Sequence, residues 1–194
     1  MAAPKLEPAA AAQALLRDFE ERYEAVEAPP VPVERIASAL LGLYIDEADD
    51  LRALPGAPAD QGRLSGMLDA EAMVIWVDRG EAQRNPGRRR FTIAHEVGHL
   101  LLHVPVVHEG FCDRPADVQE VVDEDSSASE LPELRRRERE ANLFARELLM
   151  PESLVNEQAR ATGFNLPALA DRFEVSVPAM RLRLRLLKLL PPLA

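Results

Sequence analysis

The stretch FTIAHEVGHLLLH, residues 91–103, constrains this chain more than any other. Its apolar residues recur at helical spacing, so the segment is predicted to be a helix. On a helix, residues four apart lie nearly one above the other, and His95 and His99 therefore project from one face. Two imidazoles so placed can bind one metal ion. Glu96 adjoins His95 but is offset around the helix, where it can reach a water on the same ion and take its proton. The pattern H-E-x-x-H thus supplies two ligands and a general base within one turn. Ile93, Val97, Leu100, Leu101 and Leu102 give the helix apolar flanks. A buried helix carries His-Glu-His for a reason, because unpartnered polar groups are costly away from water. Thr92 or the basic run before it marks the start, and Pro105 limits the end.

A catalytic zinc usually has three protein ligands and one open position. The third must come from elsewhere, and His103, His108, Cys112 and a carboxylate are the candidates. His103 is about two turns, roughly 11 Å, from His95 on a straight helix, too far to share one ion with both. Geometry does not exclude His108 or Cys112, which follow Pro105. A second amphipathic helix is predicted around EREANLFARELLM, residues 138–150, with Ala141, Phe144, Ala145, Leu148 and Leu149 as its stripe and Pro151 as its stop. Glu138 lies one turn before Asn142 on one face. Glu138 could bind zinc while Asn142 holds the ring N–H of a ligand histidine. Glu140 and Glu147 are the competing carboxylates. Glu140 points about 160° away from Asn142 and reads as a solvated residue. Spacing alone does not decide between Glu138 as ligand and Glu138 as an ordinary charge in the run Arg135 to Glu140.

RRRFTIAHEVGHLLLH followed by EREANLFARELLMP resembles the ImmA/IrrE family of zinc metallopeptidases. APPVPVERIASALLGLYID resembles that family's opening, and LADRFEVSVPAMRLRLRLL resembles its helix-turn-helix-like end. The likeness covers most of residues 28–187. It implies that His95, His99 and Glu138 bind zinc and that Glu96 is the base; the family's glutamate stands three residues before its Ala-Asn pair, which selects Glu138 over Glu140. It also implies proteolysis of a helix-turn-helix repressor, a DNA-binding protein partner, in stress response or mobile-element control. The residues by themselves leave Mn²⁺ or Fe²⁺ as alternatives to Zn²⁺, since both suit two imidazoles and a carboxylate.

Charge is unevenly distributed. The chain carries −10 in all, and residues 109–130 hold eight acidic side chains against Arg114, a net −7. Such a block reads as a solvated loop, or as a lid or steering surface for a basic substrate. Arg84, Arg88, Arg89 and Arg90 precede the zinc motif and are expected to solvate a loop or to pair with the acidic block, rather than to bind nucleic acid. Residues 160–194 are net +4, with Arg181, Arg183, Arg185 and Lys188 on one predicted helix. Direct DNA binding there is the lesser expectation. The rival to an enzyme is a zinc-stabilised, non-enzymatic regulator acting on a repressor or DNA through these C-terminal helices. One cysteine, Cys112, precludes an internal disulfide. The N-terminus makes a poor signal peptide, and no apolar run reaches membrane-span length. A cytoplasmic protein without membrane contact is expected.

Along the chain, residues 1–10 are expected to be disordered, Ala11–Ala25 helical, 28–32 an extended linker, and Val33–Leu41 helical. Strands are predicted at Leu43–Ile45, Leu64–Asp69 and Ala72–Val77, with 46–62 as loop. Met73 to Val77 is nearly continuous in apolar character and is predicted to be central, with Trp76 in the core. Leu166–Phe173 and Val177–Leu189 are predicted helices around a turn, capped by Ser176. The predicted class is α+β: a small sheet packed against a zinc-binding helix, zincin-like, with a helix-turn-helix-like C-terminal segment. The predicted divisions are 1–27 (tail and helix), 28–155 (metallopeptidase domain) and 156–194 (C-terminal segment). A sheet edge near the zinc could hold an extended peptide by strand addition. Tyr23, Tyr44, His103 and His108 are candidates for stabilising an oxyanion.

Overall fold

The computed structural model describes residues 7–57, 64–103, 111–113 and 132–190, with backbone alone at 111–113. Helix α1 (Pro8–Arg22) leads to α2 (Val33–Arg35), which runs on as a π-helical turn over Ile36–Leu40, and then to strand β1 (Tyr44–Ala48). Strands β2 (Gly66–Asp69) and β3 (Val74–Asp78) precede α3 (Arg79–Arg84) and α4 (Pro86–His103). Strand β4 (Phe111–Asp113) and helices α5 (Glu133–Leu149), α6 (Glu152–Ala161), α7 (Leu166–Phe173) and α8 (Val177–Leu186) follow. The fold is α+β.

Among the described residues the sheet has four strands, in the order β1-β3-β2-β4. β1 and β3 are parallel; β2 is antiparallel to both β3 and β4. β3 is therefore internal, as its apolar character predicts. Its side chains nevertheless divide between two environments. Ile75 and Val77 lie opposite Leu68 and Gly66 of β2, and Leu68, Ile75 and Val77 join a core with Ile93, Ala94 and Val97 of α4. Trp76 points the other way, beside Met67, and is half-buried rather than core. The period of two along a strand sends alternate residues of even a continuous apolar run to opposite faces.

Several boundaries differ from expectation for simple reasons. Pro8 opens α1, so residues 8–10 are helical rather than disordered; a first-turn proline loses no hydrogen bond and has φ preset for helix. β1 extends through Ala48 into the predicted loop because Asp46, Glu47 and Ala48 pair with Trp76, Val77 and Asp78. α4 begins at Pro86, again a proline at the first helical position, which draws Arg88, Arg89 and Arg90 into the helix. These arginines fasten α4 to its surroundings. Arg89 pairs with Glu34 and with Glu47, the latter at 3.3 Å. Arg88 lies 3.7 Å from Glu81 and donates to Ser65 Oγ. Arg90 donates to the Val31 carbonyl at 2.7 Å and stands 3.4 Å from Glu174. Apart from β4, the acidic block 109–130 lies outside the described residues. Three of its residues, expected as loop, are strand paired with β2.

Helices α4 and α5 cross closely. A Cβ on Gly98 would stand 3.1 Å from Phe144 Cδ1 and 3.2 Å from Ala141 Cα, so Gly98 sets their separation. α1 lies against α5, and Phe19 and Phe144 are fully buried. α7 and α8 join the same core through Leu169, Phe173, Met180 and Leu184. Ser176 accepts from the Ala179 N–H and caps α8, as its sequence position suggests. α8 stops at Leu186, short of Leu189, and Lys188 takes a left-handed backbone (φ 56) just beyond. Arg183 is 3% exposed, pairs with Glu147 and donates to the Met150 carbonyl. The basic face predicted for this helix is thereby reduced to Arg181 and Arg185, with Lys188 beyond its end. No described helix is long and apolar enough to cross a membrane.

Candidate metal centre

His95 and His99 lie one turn apart in the middle of α4, and both are fully buried. Their Nε2 atoms are 2.9 Å apart. Glu138, from α5, places Oε2 3.2 Å from His95 Nε2 and Oε1 3.4 Å from His99 Nε2. One ligand atom from each of the three residues lies within 4.8 Å of the others. Bond lengths to zinc of about 2.0–2.2 Å with tetrahedral angles separate donor atoms by about 3.3 Å. The spacings here bracket that value.

The hydrogen bonding agrees. Asn142, one turn beyond Glu138 on α5, places its side-chain carbonyl 2.9 Å from His95 Nδ1. A carbonyl oxygen only accepts, so Nδ1 carries the proton and Nε2 presents a lone pair to the cluster. A carboxylate and bare ring nitrogens at this spacing repel one another unless a cation lies among them. The donor set therefore fits a divalent metal ion.

Charge states point the same way. Burial is the main reason the His99 imidazole is pushed down to about 3, with Glu138 opposing the shift and His95 and His103 adding to it. Without a metal, a proton on a ring nitrogen facing Glu138 takes the cation's place: burial raises the Glu138 carboxyl, but hydrogen bonds and charge interactions with His95 and His99 outweigh this and hold it well below the usual carboxylate range. Neutral imidazole and ionised carboxylate are the forms that bind metal. A stability prediction follows for protein stripped with a chelator. Between pH 6.5 and about 3 the unfolded chain protonates His99 while the folded chain resists, so stability falls with pH across that window. Glu138 adds a loss of the same sign below its unfolded value of 4.5. Thermal midpoints recorded against pH should show a shallower decline in His99→Gln, which lacks the first contribution.

The family model described as "IrrE N-terminal-like domain", a peptidase model, matches residues 57–185. The chain belongs to the ImmA/IrrE family of metallopeptidases. Radiation response metalloprotease IrrE of Deinococcus radiodurans is 30% identical to it over 170 residues, 86% of this chain and 44% of that protein. The chain thus spans less than half the length of that relative. A Mycobacterium tuberculosis transcriptional regulator shares the fold with a TM-score of 0.55 at 20% identity, over 90% of this chain and 46% of that one.

In this family member the remaining candidates fall in separate places. Glu147 is occupied by Arg183. The described residues do not include His108 or the side chain of Cys112. Glu140 departs from expectation: its side chain is only 13% exposed, and Oε2 lies 3.1 Å from His103 Nε2. The angle around a helix fixes only the direction of Cβ; two long side chains bridge what the angle separates. His103 Nδ1 in turn lies 3.0 Å from His99 Nδ1. Tyr23 donates to the Ala39 carbonyl, and Tyr44 is 73% exposed on the sheet edge farthest from β4. Neither hydroxyl is placed at the cluster by these contacts.

Sequence reasoning passed over Gly66. A Cβ there would meet Thr92 Cγ2 at 2.3 Å, Glu96 Oε1 at 3.0 Å and the Trp76 carbonyl at 3.4 Å. β2 approaches α4 so closely only because residue 66 has no side chain. A glycine inside a strand is the available signal, since it often marks close backbone approach.

Proposed function

We propose that this chain is a zinc-dependent endopeptidase of the H-E-x-x-H type, with a protein substrate. The favoured substrate is a helix-turn-helix transcriptional repressor, cleaved in the cytoplasm to relieve repression in stress response or mobile-element control. The observation that carries the reading is the convergence of His95, His99 and Glu138, from two helices, beside a buried glutamate on the same turn. Family membership supports it. Residues 28–155 form the proposed peptidase region.

A zinc ion held by these three residues would supply Lewis acidity, acidifying water and polarising a peptide carbonyl. Glu96 accepts the proton from the attacking water and returns it to the leaving amine. Asn142 accepts from His95 Nδ1 and keeps the other ring nitrogen bare. Among the described residues β4 is an edge of the sheet, and that edge is the proposed place for an extended substrate strand. The rival, a non-enzymatic regulator working through α7 and α8, is weakened by the internal position of Arg183.

Elemental analysis of natively purified protein tests the metal centre. About one zinc per chain is expected in the wild type and far less in Glu138→Ala. A wild type that takes up no metal after zinc loading would overturn the reading. A predominance of manganese or iron as purified would change the metal and keep the site. Metal-loaded protein should then cleave a purified helix-turn-helix repressor encoded beside its gene, and a chelator should abolish cleavage.

A further inference from the structure

The two ligand histidines are oriented by different devices, and the second is longer. His95, His99 and His103 follow one another at four-residue spacing along α4, so their rings form a row. The His99 and His103 centroids are 5.1 Å apart. His103 is 6% exposed and Glu140 closes the row from α5. We propose that His103 and Glu140 are positioning residues that set the tautomer and ring orientation of His99 for metal binding. This inference rests on His99 being a ligand.

The chemistry runs inward from the carboxylate. An ionised carboxylate has only acceptor oxygens, so the His103 nitrogen 3.1 Å from Glu140 Oε2 carries the proton. A neutral imidazole protonated at Nε2 has a lone pair at Nδ1. That lone pair faces His99 Nδ1 at 3.0 Å, and one hydrogen bond joins the two nitrogens only if His99 Nδ1 is the donor. His99 Nε2 is then bare, and it is the atom that faces His95 Nε2 and Glu138 Oε1. For His95 the amide oxygen of Asn142 achieves the same result in one step. Ligand histidines commonly donate their other N–H to a carboxylate or carbonyl. Here an imidazole stands between ligand and carboxylate.

The test is a set of variants titrated with Zn²⁺ against a competing chelator, with the visible spectrum of the Co²⁺-loaded protein as a second readout. His103→Leu removes the acceptor and should weaken zinc binding about 10- to 100-fold and alter the Co²⁺ bands. His103→Asn puts a carbonyl oxygen near the position of Nδ1, as Asn142 does for His95, and should restore most of the affinity. Glu140→Leu, which leaves no acceptor for the His103 N–H, should weaken binding in the wild-type background and have little further effect on His103→Asn, where the row is already cut. Unfolding of each metal-free variant separates lost orientation from lost fold. Should His103→Leu fail to fold, the Glu140→Leu pair of measurements decides alone. Wild-type affinity in Glu140→Leu, or equal weakening in His103→Asn and His103→Leu, overturns the proposal. A wild type that binds neither ion overturns the metal centre itself, a distinguishable result.

Discussion

Glu96→Gln is expected to retain the metal and to lower the turnover number by about 10²- to 10⁴-fold, the usual contribution of a positioned general acid–base group. Glutamine matches glutamate in size and keeps one oxygen, so it fills the same buried place beneath β2. It cannot take a proton from water or return one to an amine. The loss should therefore fall on kcat with KM little changed, the pattern of an interaction made only in the transition state. Steady-state proteolysis with metal content measured on the same sample checks this. Normal turnover in a fully loaded Glu96→Gln protein would remove the glutamate from the mechanism. Regulatory activity in cells that survives the substitution would favour the non-enzymatic rival.

Gly66→Ala is expected to be nearly as damaging, through packing rather than chemistry. Its Cβ would fall 2.3 Å from Thr92 Cγ2, well inside van der Waals contact, so sheet and helix must part. Overpacking of this kind destabilises by about 1–3 kcal/mol. The same carbon would lie 3.0 Å from Glu96 Oε1 and would displace the carboxylate. The two consequences are separable. Thr92→Ser deletes the clashing methyl and keeps the hydroxyl, so Gly66→Ala/Thr92→Ser should recover much of the stability by thermal melting. Proteolysis should remain depressed in the double variant, because the contact with Glu96 persists. Full recovery of both stability and proteolysis would show that Gly66 matters only for the approach of the strand to the helix.

Local rules account for much of what is legible in the amino-acid order. Four-residue spacing places His95 and His99 on one face, and the same spacing carries His103 into their row, where its Nδ1 lies 3.0 Å from that of His99. Alternation and turn residues locate three of the four strands; β4 escapes because three residues within an acidic stretch carry no pattern of their own. Caps and prolines mark α7 and the start of α8. The arginines ahead of the motif are expected in a loop when Thr92 is taken as the helix start. Pro86 is the stronger signal, and it brings them into α4.

Features with a local cause were readable from the chain alone: the amphipathic helices, the apolar central strand, and the pairing of ligand-type residues within one helical turn. Such features depend on residues a few positions apart, joined by fixed backbone geometry. Contacts between distant positions emerge only on folding. Folding brings Glu138 and Asn142 of α5 to His99 and His95 of α4, turns Glu140 from a solvated charge into the partner of His103, and seats Arg183 inside against Glu147. Those outcomes depend on how closely two helices and a strand approach, and that distance is set at Gly98 and Gly66 by the absence of a side chain. A glycine's spelling in the sequence is the same whether it meets solvent or a neighbouring backbone, so the approach becomes visible only once the chain is folded.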